Sequence, residues 1–442
     1  ARHRADGMPC MRLKCEMTAS RINRRVFSQS TLAAAAAAVF PMPALGVGSS
    51  SRVVVIGGGF AGTSCARELK KIDPNIAVTL VEANKTFTAL PMSNSVIAGL
   101  RKIGQQQFEY RAITAIGIDV VIATAKAVDP QTRQVALVDG KLLSYDRLVI
   151  APGIDLRWDA IPGYDRAAAE KMPHAWNDGA QADLLRRQLT EMPDGGTVVM
   201  SVPVAPARCP PAPYERASLI AHYLKTAKPR SKLIVLDAKE NFSMQRLFQN
   251  AWKELYTGLL EWVPLSSGGQ VVSIDVTSKT IKTDFDSYRA NVANIIPPQK
   301  AGNVTALAGV ADRTGWCPID PITFESKQQA NIHVIGDAAI AGALPKSAST
   351  ATSAGKLCAA AIVQLLAGGK PRAQELASAC YSLLAPGYAI SITAKYRPVD
   401  DQFIEIEGSG EISPLDAPQS RREKEAKLAD DWFTQITGEV FG

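Results

Sequence analysis

The cysteines are the residues of this 442-residue chain with the most obvious redox chemistry, and one of them stands in an unusual loop. Cys209 follows a predicted buried strand at 197–202 and lies among five prolines between residues 203 and 213. Proline has no backbone N–H and fixes φ, so this loop cannot cradle a pyrophosphate, and we expect no nicotinamide dinucleotide here. The stiff loop would instead hold the Cys209 thiol, at small entropic cost, at the carboxyl end of a strand, where open α/β sheets place ligands. The segment therefore predicts that the electron donor is a small molecule that can react with a cysteine.

Four further cysteines follow residue 51. Cys65 and Cys358 fall in predicted helices and are interpreted as inert core residues. Cys317 and Cys380 are the remaining candidates for chemistry. These five cysteines are an odd number. In an oxidising compartment, which an export signal described below predicts, they could form at least one disulfide and would leave at least one free thiol. The four histidines form no HExxH motif or closely spaced pair, so we predict no metal site.

A dinucleotide site is predicted where a β-branched strand, 52–56, runs into a glycine-rich turn and then a helical stretch. Gly57 permits the tight turn, Gly59 lets backbone amides approach a pyrophosphate, and Gly62 lets the helix pack on the sheet. A second predicted strand, 77–81, ends in a carboxylate that can accept hydrogen bonds from ribose hydroxyls. The predicted nucleotide contacts of this unit are Gly57, Gly59, Phe60, Ala61, Gly62 and Glu82.

Two downstream segments favour FAD over NAD as the dinucleotide. Residues 331–337 predict a strand that ends in Gly336-Asp337, and residues 145–153 predict a strand and turn that end in Ala151-Pro152-Gly153. Both are similar to segments of two-dinucleotide flavoproteins, in which such a strand returns to the first fold and offers its Asp to the ribityl chain of FAD. The similarity implies that Ala151, Gly153 and Asp337 contact FAD. The alternative for Asp337 alone is a helix N-cap.

These elements predict an α/β protein with two Rossmann-like dinucleotide-binding domains, of the glutathione-reductase-like class, and an α+β C-terminal interface domain. The predicted segments are an export signal at 1–51, the first part of the FAD-binding domain at 52–160, a second Rossmann-like domain without nucleotide glycines at 161–292, the second part of the FAD-binding domain at 293–370, and the C-terminal domain at 371–442.

Positive charge is concentrated at the N-terminus. Residues 1–51 hold seven Lys/Arg against two Asp/Glu and so carry most of the net charge of +7. The remainder is nearly neutral, so nucleic-acid binding is not expected. Arg24-Arg25 before an Ala-rich apolar run resembles a twin-arginine export signal, which predicts a periplasmic protein without stable membrane insertion. The alternative is a chance arginine pair before an Ala-rich helix.

Short motifs spread over residues 52–442 carry a family resemblance. They are Pro173-His174-Ala175-Trp176, Arg208-Cys209-Pro210-Pro211, Pro213-Tyr214-Glu215-Arg216-Ala217, Ile296-Pro297-Pro298-Gln299, Gly315-Trp316-Cys317-Pro318, Ile335-Gly336-Asp337, Pro345-Lys346-Ser347, Cys380-Tyr381-Ser382 and Leu384-Ala385-Pro386. With these motifs the chain resembles the flavoprotein subunit of flavocytochrome c sulfide dehydrogenase, a family related to the sulfide:quinone oxidoreductases.

The resemblance implies a redox-active disulfide against the flavin. In the family one cysteine lies on the proline-rich loop and one after the final helix of the FAD domain, and these match Cys209 and Cys380. Cys317 stays open as the partner of Cys209. The implied substrate is hydrosulfide, which attacks the disulfide and leaves a persulfide and a thiolate. Two electrons then pass to FAD and on to a separate c-type cytochrome subunit, in a heterodimer.

Two charged residues are candidates for roles beside the cysteines and the flavin. Glu215, at a predicted helix start, is expected to move a proton during sulfide attack, although a glutamate there can also simply complement the helix dipole. Lys346 is expected to place positive charge near the flavin, with a surface lysine as the alternative.

One departure concerns how FAD is held. Family members that bind FAD covalently use a cysteine in the segment that matches residues 87–94, and here that position is Ala89. The sequence therefore predicts non-covalent FAD.

Three other functions are alternatives to sulfide dehydrogenase. A sulfide:quinone oxidoreductase would share the cysteines but should carry an apolar or amphipathic C-terminus for membrane docking, whereas Arg421–Lys427 is strongly charged. An NAD(P)H-dependent disulfide reductase would need a second glycine fingerprint and a close cysteine pair just after Glu82, and the sequence has neither. A non-enzymatic flavin-binding protein with a structural disulfide is the third alternative.

Overall fold

Strands and helices alternate at residues 52–82 and 197–263, as expected for an α/β protein. The computed structural model describes residues 50–177 and 179–442, so the predicted export signal lies outside the described residues except at its last two positions. The α-helices are α1 (Phe60–Ile72), α2 (Ser93–Ile97), α3 (Arg111–Ala115), α4 (Arg166–Ala169), α5 (Gly179–Glu191), α6 (Ala212–Ala227), α7 (Gln245–Leu255), α8 (Val304–Leu307), α9 (Ala348–Leu366) and α10 (Gln419–Phe441). The β-strands are β1 (Arg52–Ile56), β2 (Ala77–Glu82), β3 (Thr86–Thr88), β4 (Gln107–Glu109), β5 (Asp119–Ile122), β6 (Ala125–Asp129), β7 (Gln134–Leu137), β8 (Leu142–Ser144), β9 (Arg147–Ile150), β10 (Ile154–Leu156), β11 (Thr197–Val202), β12 (Lys232–Asp237), β13 (Leu260–Val263), β14 (Val271–Asp275), β15 (Thr280–Thr283), β16 (Ser287–Arg289), β17 (Val292–Ile295), β18 (Gln299–Ala301), β19 (Cys317–Pro318), β20 (Ile332–Val334), β21 (Ala339–Ile340), β22 (Leu376–Ala385), β23 (Tyr388–Val399) and β24 (Gln402–Glu405).

The glycine turn follows the central strand of a five-stranded parallel sheet with the order β20-β9-β1-β2-β5. Val53, Val54 and Val55 in β1 are at most 2% exposed. A parallel sheet is covered on both faces, which explains why this strand is an unbroken β-branched run. β20 comes from much later in the chain and pairs with β9, so the predicted return of residues 331–337 to the first sheet is confirmed.

The loop of Cys209 leaves a second parallel sheet, ordered β13-β12-β11-β17. β11 ends at Val202, and the chain then crosses the proline-rich loop to α6. Cys209 therefore lies at the carboxyl edge of this sheet, as the sequence predicts. The predicted domain boundary at 292 falls at the first residue of the last strand, β17, because β17 pairs with β11 and extends the sheet to Ile295. With these two sheets the predicted pair of Rossmann-like folds is confirmed.

Helix α9 begins at Ala348, within a Ser/Thr/Ala-rich segment. Ser347 caps it, because its hydroxyl accepts a hydrogen bond from the amide of Thr350 at 3.2 Å. Small residues in its first turns let it lie close to α1: a Cβ on Gly355 would stand 2.4 Å from the carbonyl oxygen of Ala61. Packing against α1 thus stabilises a Ser/Thr/Ala-rich segment of modest helix propensity.

The C-terminal part of the chain combines an antiparallel sheet, β22-β23-β24, with the long helix α10. The charged stretch Arg421–Lys427 lies in the first half of this helix, which continues to Phe441. A buried stripe explains the extension: the ring of Phe441 stacks on those of Phe87 and Phe108, with centroids 5.0 and 5.1 Å apart. Across the two described ranges, no helix is both long enough and apolar enough to cross a bilayer.

Candidate active site

The turn between β1 and α1 needs glycine for steric reasons. Gly57 has a φ of 103°, and a Cβ on it would stand 2.3 Å from the carbonyl oxygen of Ala151. A Cβ on Gly62 would stand 1.9 Å from the carbonyl oxygen of Gly57, so this glycine lets the helix pack closely, as predicted. At Gly59 a Cβ would meet only the ring of Phe87, at 3.3 Å. The N-terminus of α1 is therefore open on one side.

The carboxylate of Glu82 lies at the end of β2 and stabilises this turn by hydrogen bonds. Its Oε2 accepts a hydrogen bond from the amide of Gly58 at 2.7 Å, and its Oε1 accepts one from the amide of Asn84 at 2.9 Å. These bonds fix the carboxylate beside the helix N-terminus. Its contact with a ribose stays a prediction.

A cavity of about 880 Å³ extends from the glycine turn to the cysteines. Its lining includes the predicted site residues Gly57, Gly59, Phe60, Ala61, Glu82, Ala151, Gly153, Cys209, Glu215, Asp337 and Cys380. Gly62 and Lys346 lie outside this lining. The open helix N-terminus suits an anionic pyrophosphate, because α1 has no acidic residue in its first turn. The residues present therefore fit a dinucleotide such as FAD.

Sequence reasoning did not assign a role to Arg208, which lines the same cavity. Its Nε lies 2.6 Å from Oδ2 of Asp337, and its amide donates to Oε1 of Gln299 at 2.8 Å. Asp337 forms an ion pair with the proline-rich loop, and it is not a helix N-cap, because Ile335 precedes the short 3-10 helix at 336–338 and Ser347 precedes α9. Because Arg208 and Asp337 are 129 positions apart, only the fold brings them together.

The ammonium of Lys346 is occupied by protein groups. Its Nζ donates to the carbonyl oxygens of Asp337 and Ala339 at 2.7 and 2.9 Å and lies 4.0 Å from the ring centroid of Trp316. Burial lowers the pKa of Lys346 to about 8, against the opposing effect of the Asp337 carboxylate. Lys346 is therefore buried, not a surface lysine, but it does not line the cavity, and its effect on the flavin stays a prediction.

Cys209 has a φ of 49°, in the left-handed region that residues other than glycine adopt rarely. Its amide donates to the carbonyl oxygen of Lys346 at 2.6 Å, and its own carbonyl accepts from the amide of Ala212. Such a strained backbone conformation persists only where surrounding contacts hold it, and it is found most often at functional sites. Burial first, and then the charges of Cys380 and Glu215, raise the pKa of the Cys209 thiol well above its ordinary value.

Cys380 lies on β22, and both it and Cys209 are thiols in this structure. Burial raises the pKa of Cys380 to about 11, and a hydrogen bond with Ser347 opposes the shift. Cys317 lies outside the cavity lining and is fully buried. Burial raises the pKa of Cys317 to about 12, and a hydrogen bond with Thr305 opposes that shift. Cys380, and not Cys317, therefore shares the cavity with Cys209.

Glu215, in the first turn of α6, is buried between this helix and β22. Its Oε1 accepts a hydrogen bond from the amide of Leu383 at 3.0 Å, and its Oε2 accepts one from Nδ2 of Asn94 at 2.7 Å. Burial raises the pKa of Glu215 to about 7, although these hydrogen bonds and the neighbouring Arg216 favour the charged form. A carboxyl group with this pKa can accept or release a proton near neutral pH.

The segment that matches the family's covalent flavin site contains no cysteine. Ala89 in this segment is completely buried, and the cavity lining there is formed by its neighbours on either side, Thr88 and Leu90. Among the described residues, no three or more His, Cys, Asp or Glu side chains are arranged to hold a metal ion.

Three family models match successive parts of the chain. Residues 51–199 match the pyridine nucleotide-disulphide oxidoreductase model. Residues 182–297 match the central domain of the sulfide dehydrogenase [flavocytochrome c] flavoprotein chain, and residues 372–441 match the flavin-binding domain of flavocytochrome c sulphide dehydrogenase.

Individual relatives agree with these matches. A sulfide dehydrogenase [flavocytochrome c] flavoprotein chain from Chlorobaculum thiosulfatiphilum is 55% identical over 47 residues, which cover 11% of this chain and 98% of that sequence. The mitochondrial sulfide:quinone oxidoreductase of Mus musculus is 24% identical over 297 residues, 64% of this chain and 65% of that protein. The chain thus spans slightly less than two thirds of the mouse relative.

The fold is similar to that of the sulfide:quinone oxidoreductase of Aquifex aeolicus, with a TM-score of 0.69 at 17% identity over 88% of this chain and 92% of that one. The family matches support FAD as the dinucleotide that the cavity binds. The chain belongs to the family of flavocytochrome c sulfide dehydrogenase flavoprotein chains, which is related to the sulfide:quinone oxidoreductases.

Proposed function

We propose that the protein oxidises hydrosulfide, with Cys209 and Cys380 as a redox-active disulfide and FAD as the electron acceptor. The observation that carries the proposal is that both cysteines line the same cavity as the glycine turn. Bound FAD would supply a two-electron acceptor that can release electrons singly. The family membership supports sulfide as the reductant.

The chemistry at the cysteines begins from the disulfide. Hydrosulfide attacks one sulfur, so that the S–S bond breaks and leaves a persulfide on one cysteine and a thiolate on the other. A second hydrosulfide attacks the outer sulfur of the persulfide, releases a disulfanide ion and leaves the two cysteines reduced. Loss of two electrons and one proton from the resulting thiol and thiolate re-forms the disulfide. The net reaction converts two hydrosulfide ions into one disulfanide ion, one proton and two electrons.

Glu215 is the proposed proton acceptor for these steps. Its carboxylate influences the pKa of both thiols, and its own pKa of about 7 suits exchange with water near neutral pH. In the reduced state the high thiol pKa values favour protonated cysteines. A nearby base therefore assists formation of the thiolate that re-oxidation requires.

We also propose a c-type cytochrome subunit as the electron acceptor and the periplasm as the location. The first rests on the family, whose flavoprotein chain is part of a flavocytochrome c. The second rests on Arg24-Arg25 and the Ala-rich run after it.

A second candidate is a sulfide:quinone oxidoreductase, favoured by the mouse relative. It is disfavoured by α10, because Arg421, Lys424 and Lys427 leave its first half without an apolar face for a bilayer. Comparison of a soluble c-type cytochrome with a quinone as acceptor during sulfide oxidation separates the two functions. We expect faster turnover with the cytochrome.

The main test is anaerobic stopped-flow mixing of the FAD-loaded protein with sulfide, monitored by flavin absorbance. We expect rapid bleaching in the wild type and in a Cys317→Ser control, and little bleaching in Cys209→Ser. Equal bleaching in Cys209→Ser, or none in the wild type, would show that this cysteine does not receive sulfide.

A further inference from the structure

A completely buried guanidinium lies next to the proposed proton acceptor. Arg216 is 1% exposed. Its Nη1 donates to the carbonyl oxygen of His174 at 2.9 Å and to Oδ1 of Asn294 at 3.1 Å, and its Nη2 donates to the carbonyl oxygen of Ala175. Burial lowers the pKa of Arg216 to about 9, but neighbouring Glu215 favours its charged form. These bonds anchor the side chain in one orientation.

Another donor of this guanidinium, Nε, has a single partner, which is a side-chain oxygen. It donates to Oδ1 of Asn94 at 3.0 Å. A guanidinium has only donors, so it can face only the oxygen of an amide. Arg216 therefore fixes which way the Asn94 amide points.

With its oxygen held in this way, Asn94 presents its NH₂ group to the other side. Nδ2 donates to Oε2 of Glu215 at 2.7 Å and to the carbonyl oxygen of Ala212 at 3.1 Å. Asn94 lies on α2, Glu215 on α6 and Leu383, the donor to Oε1, on β22. The carboxylate is thus held by two donors from two different elements.

The charged and titratable groups around this carboxylate are few. Arg216 is adjacent on the same helix, and Cys209 and Cys380 face it from the proline-rich loop and from β22. Asn94 is uncharged, so it can support the carboxylate without supplying a competing proton acceptor.

We propose that Asn94, oriented by Arg216, is a positioning residue that keeps Glu215 ionised and aimed at the cysteine pair. This inference rests on the proposed function, in which Glu215 accepts a proton. The hydrogen bond from Nδ2 stabilises the carboxylate relative to the neutral acid, so its loss makes the acid form persist to higher pH. Hydrogen bonds join Asn94, Arg216 and the backbone carbonyls of residues 174–175, which are far apart in sequence.

The test is the pH dependence of sulfide-driven flavin reduction in Asn94→Ala, with Asn291→Ala as the matched control. In the control, Asn291 loses the hydrogen bond that its Oδ1 accepts from the amide of Thr197 in the second Rossmann-like domain, and Asn291 does not line the cavity. We expect the apparent pKa of the acid limb to rise by about one unit in Asn94→Ala and to stay unchanged in the control. An unshifted limb in Asn94→Ala would overturn the inference.

A second variant and a second readout keep the test independent of folding and of turnover. Asn94→Leu preserves side-chain volume but removes the donor, and it should give the same shift. Infrared difference spectra during a pH titration report the carboxylic acid band of Glu215, which is identified by its loss in Glu215→Gln. If the wild type fails to react with sulfide, the proposed function is wrong, yet this band still tests the inference. A band with the same midpoint in wild type and Asn94→Leu would contradict it.

Discussion

The guanidinium of Arg208 lies 2.6 Å from the carboxylate of Asp337, so an ion pair joins the loop of Cys209 to the turn after β20. The two side chains are only 17% and 12% exposed. The backbone bond from Cys209 to Lys346 ties the same loop to the residues just before α9. Both anchors connect the loop to the FAD-binding part of the chain, so the cysteine and the flavin site are held as one unit.

The Arg208–Asp337 pair should stabilise the holoprotein measurably. Arg208→Ala leaves a largely buried carboxylate without its partner, so we expect a loss of about 1–3 kcal/mol in the free energy of unfolding. A double-mutant cycle with Asp337→Asn, followed by denaturant unfolding, isolates the coupling. Strictly additive effects of the two substitutions would show that the pair contributes no net stability.

The rate of flavin reduction by sulfide should depend on the protonation of Glu215. The carboxylate is the active form, so the rate should fall as the pH falls through about 7. Glu215→Gln should be slower by about 10²–10⁴-fold above that pH and should lose this limb of the profile. Stopped-flow rates between pH 5.5 and 8.5 provide the measurement. A variant that keeps the wild-type limb would assign it to another group.

Lys346 should act mainly on stability. Lys346→Met removes the donor to the carbonyl oxygens of Asp337 and Ala339 and the cation above Trp316, so we expect a loss of about 1–3 kcal/mol in thermal or denaturant unfolding. The flavin reduction potential, measured on the same variant, is the control. A changed potential with unchanged stability would instead support the charge effect on the flavin that the family resemblance implies.

The flavin should be released completely when the protein is denatured. Ala89 stands at the family's attachment position, and among the described cysteines only Cys209 and Cys380 line the cavity. Acid precipitation followed by absorbance of the supernatant measures the released fraction. Yellow colour that stays with the precipitated chain would reveal a covalent bond.

Local sequence patterns predicted much of the flavin-binding half. The β-branched run before Gly57 and the strand that ends in Glu82 lie side by side in the structure, because neighbouring residues determine strands and tight turns. The return of residues 331–337 to this sheet was predicted by resemblance rather than by local pattern.

Side-chain partners were much harder to predict. Arg208 and Asp337 are 129 residues apart, and Asn94 and Arg216 are 122 apart, so no periodicity links them. The start of α9 and the length of α10 are hard to predict for a related reason, because tertiary packing, and not strong local propensity, stabilises these ends. Arg208 and Arg216 stand within the family motifs, but local sequence indicates no physical role for either.

Peptide mapping under non-reducing conditions tests the central claim most directly. In the oxidised holoprotein we predict a disulfide-linked peptide pair that contains Cys209 and Cys380, with Cys317 recovered as a thiol. After anaerobic addition of sulfide, that linked pair should disappear as the flavin bleaches. A bond between Cys209 and Cys317, or a Cys209–Cys380 bond that survives while the flavin is reduced, would contradict the account.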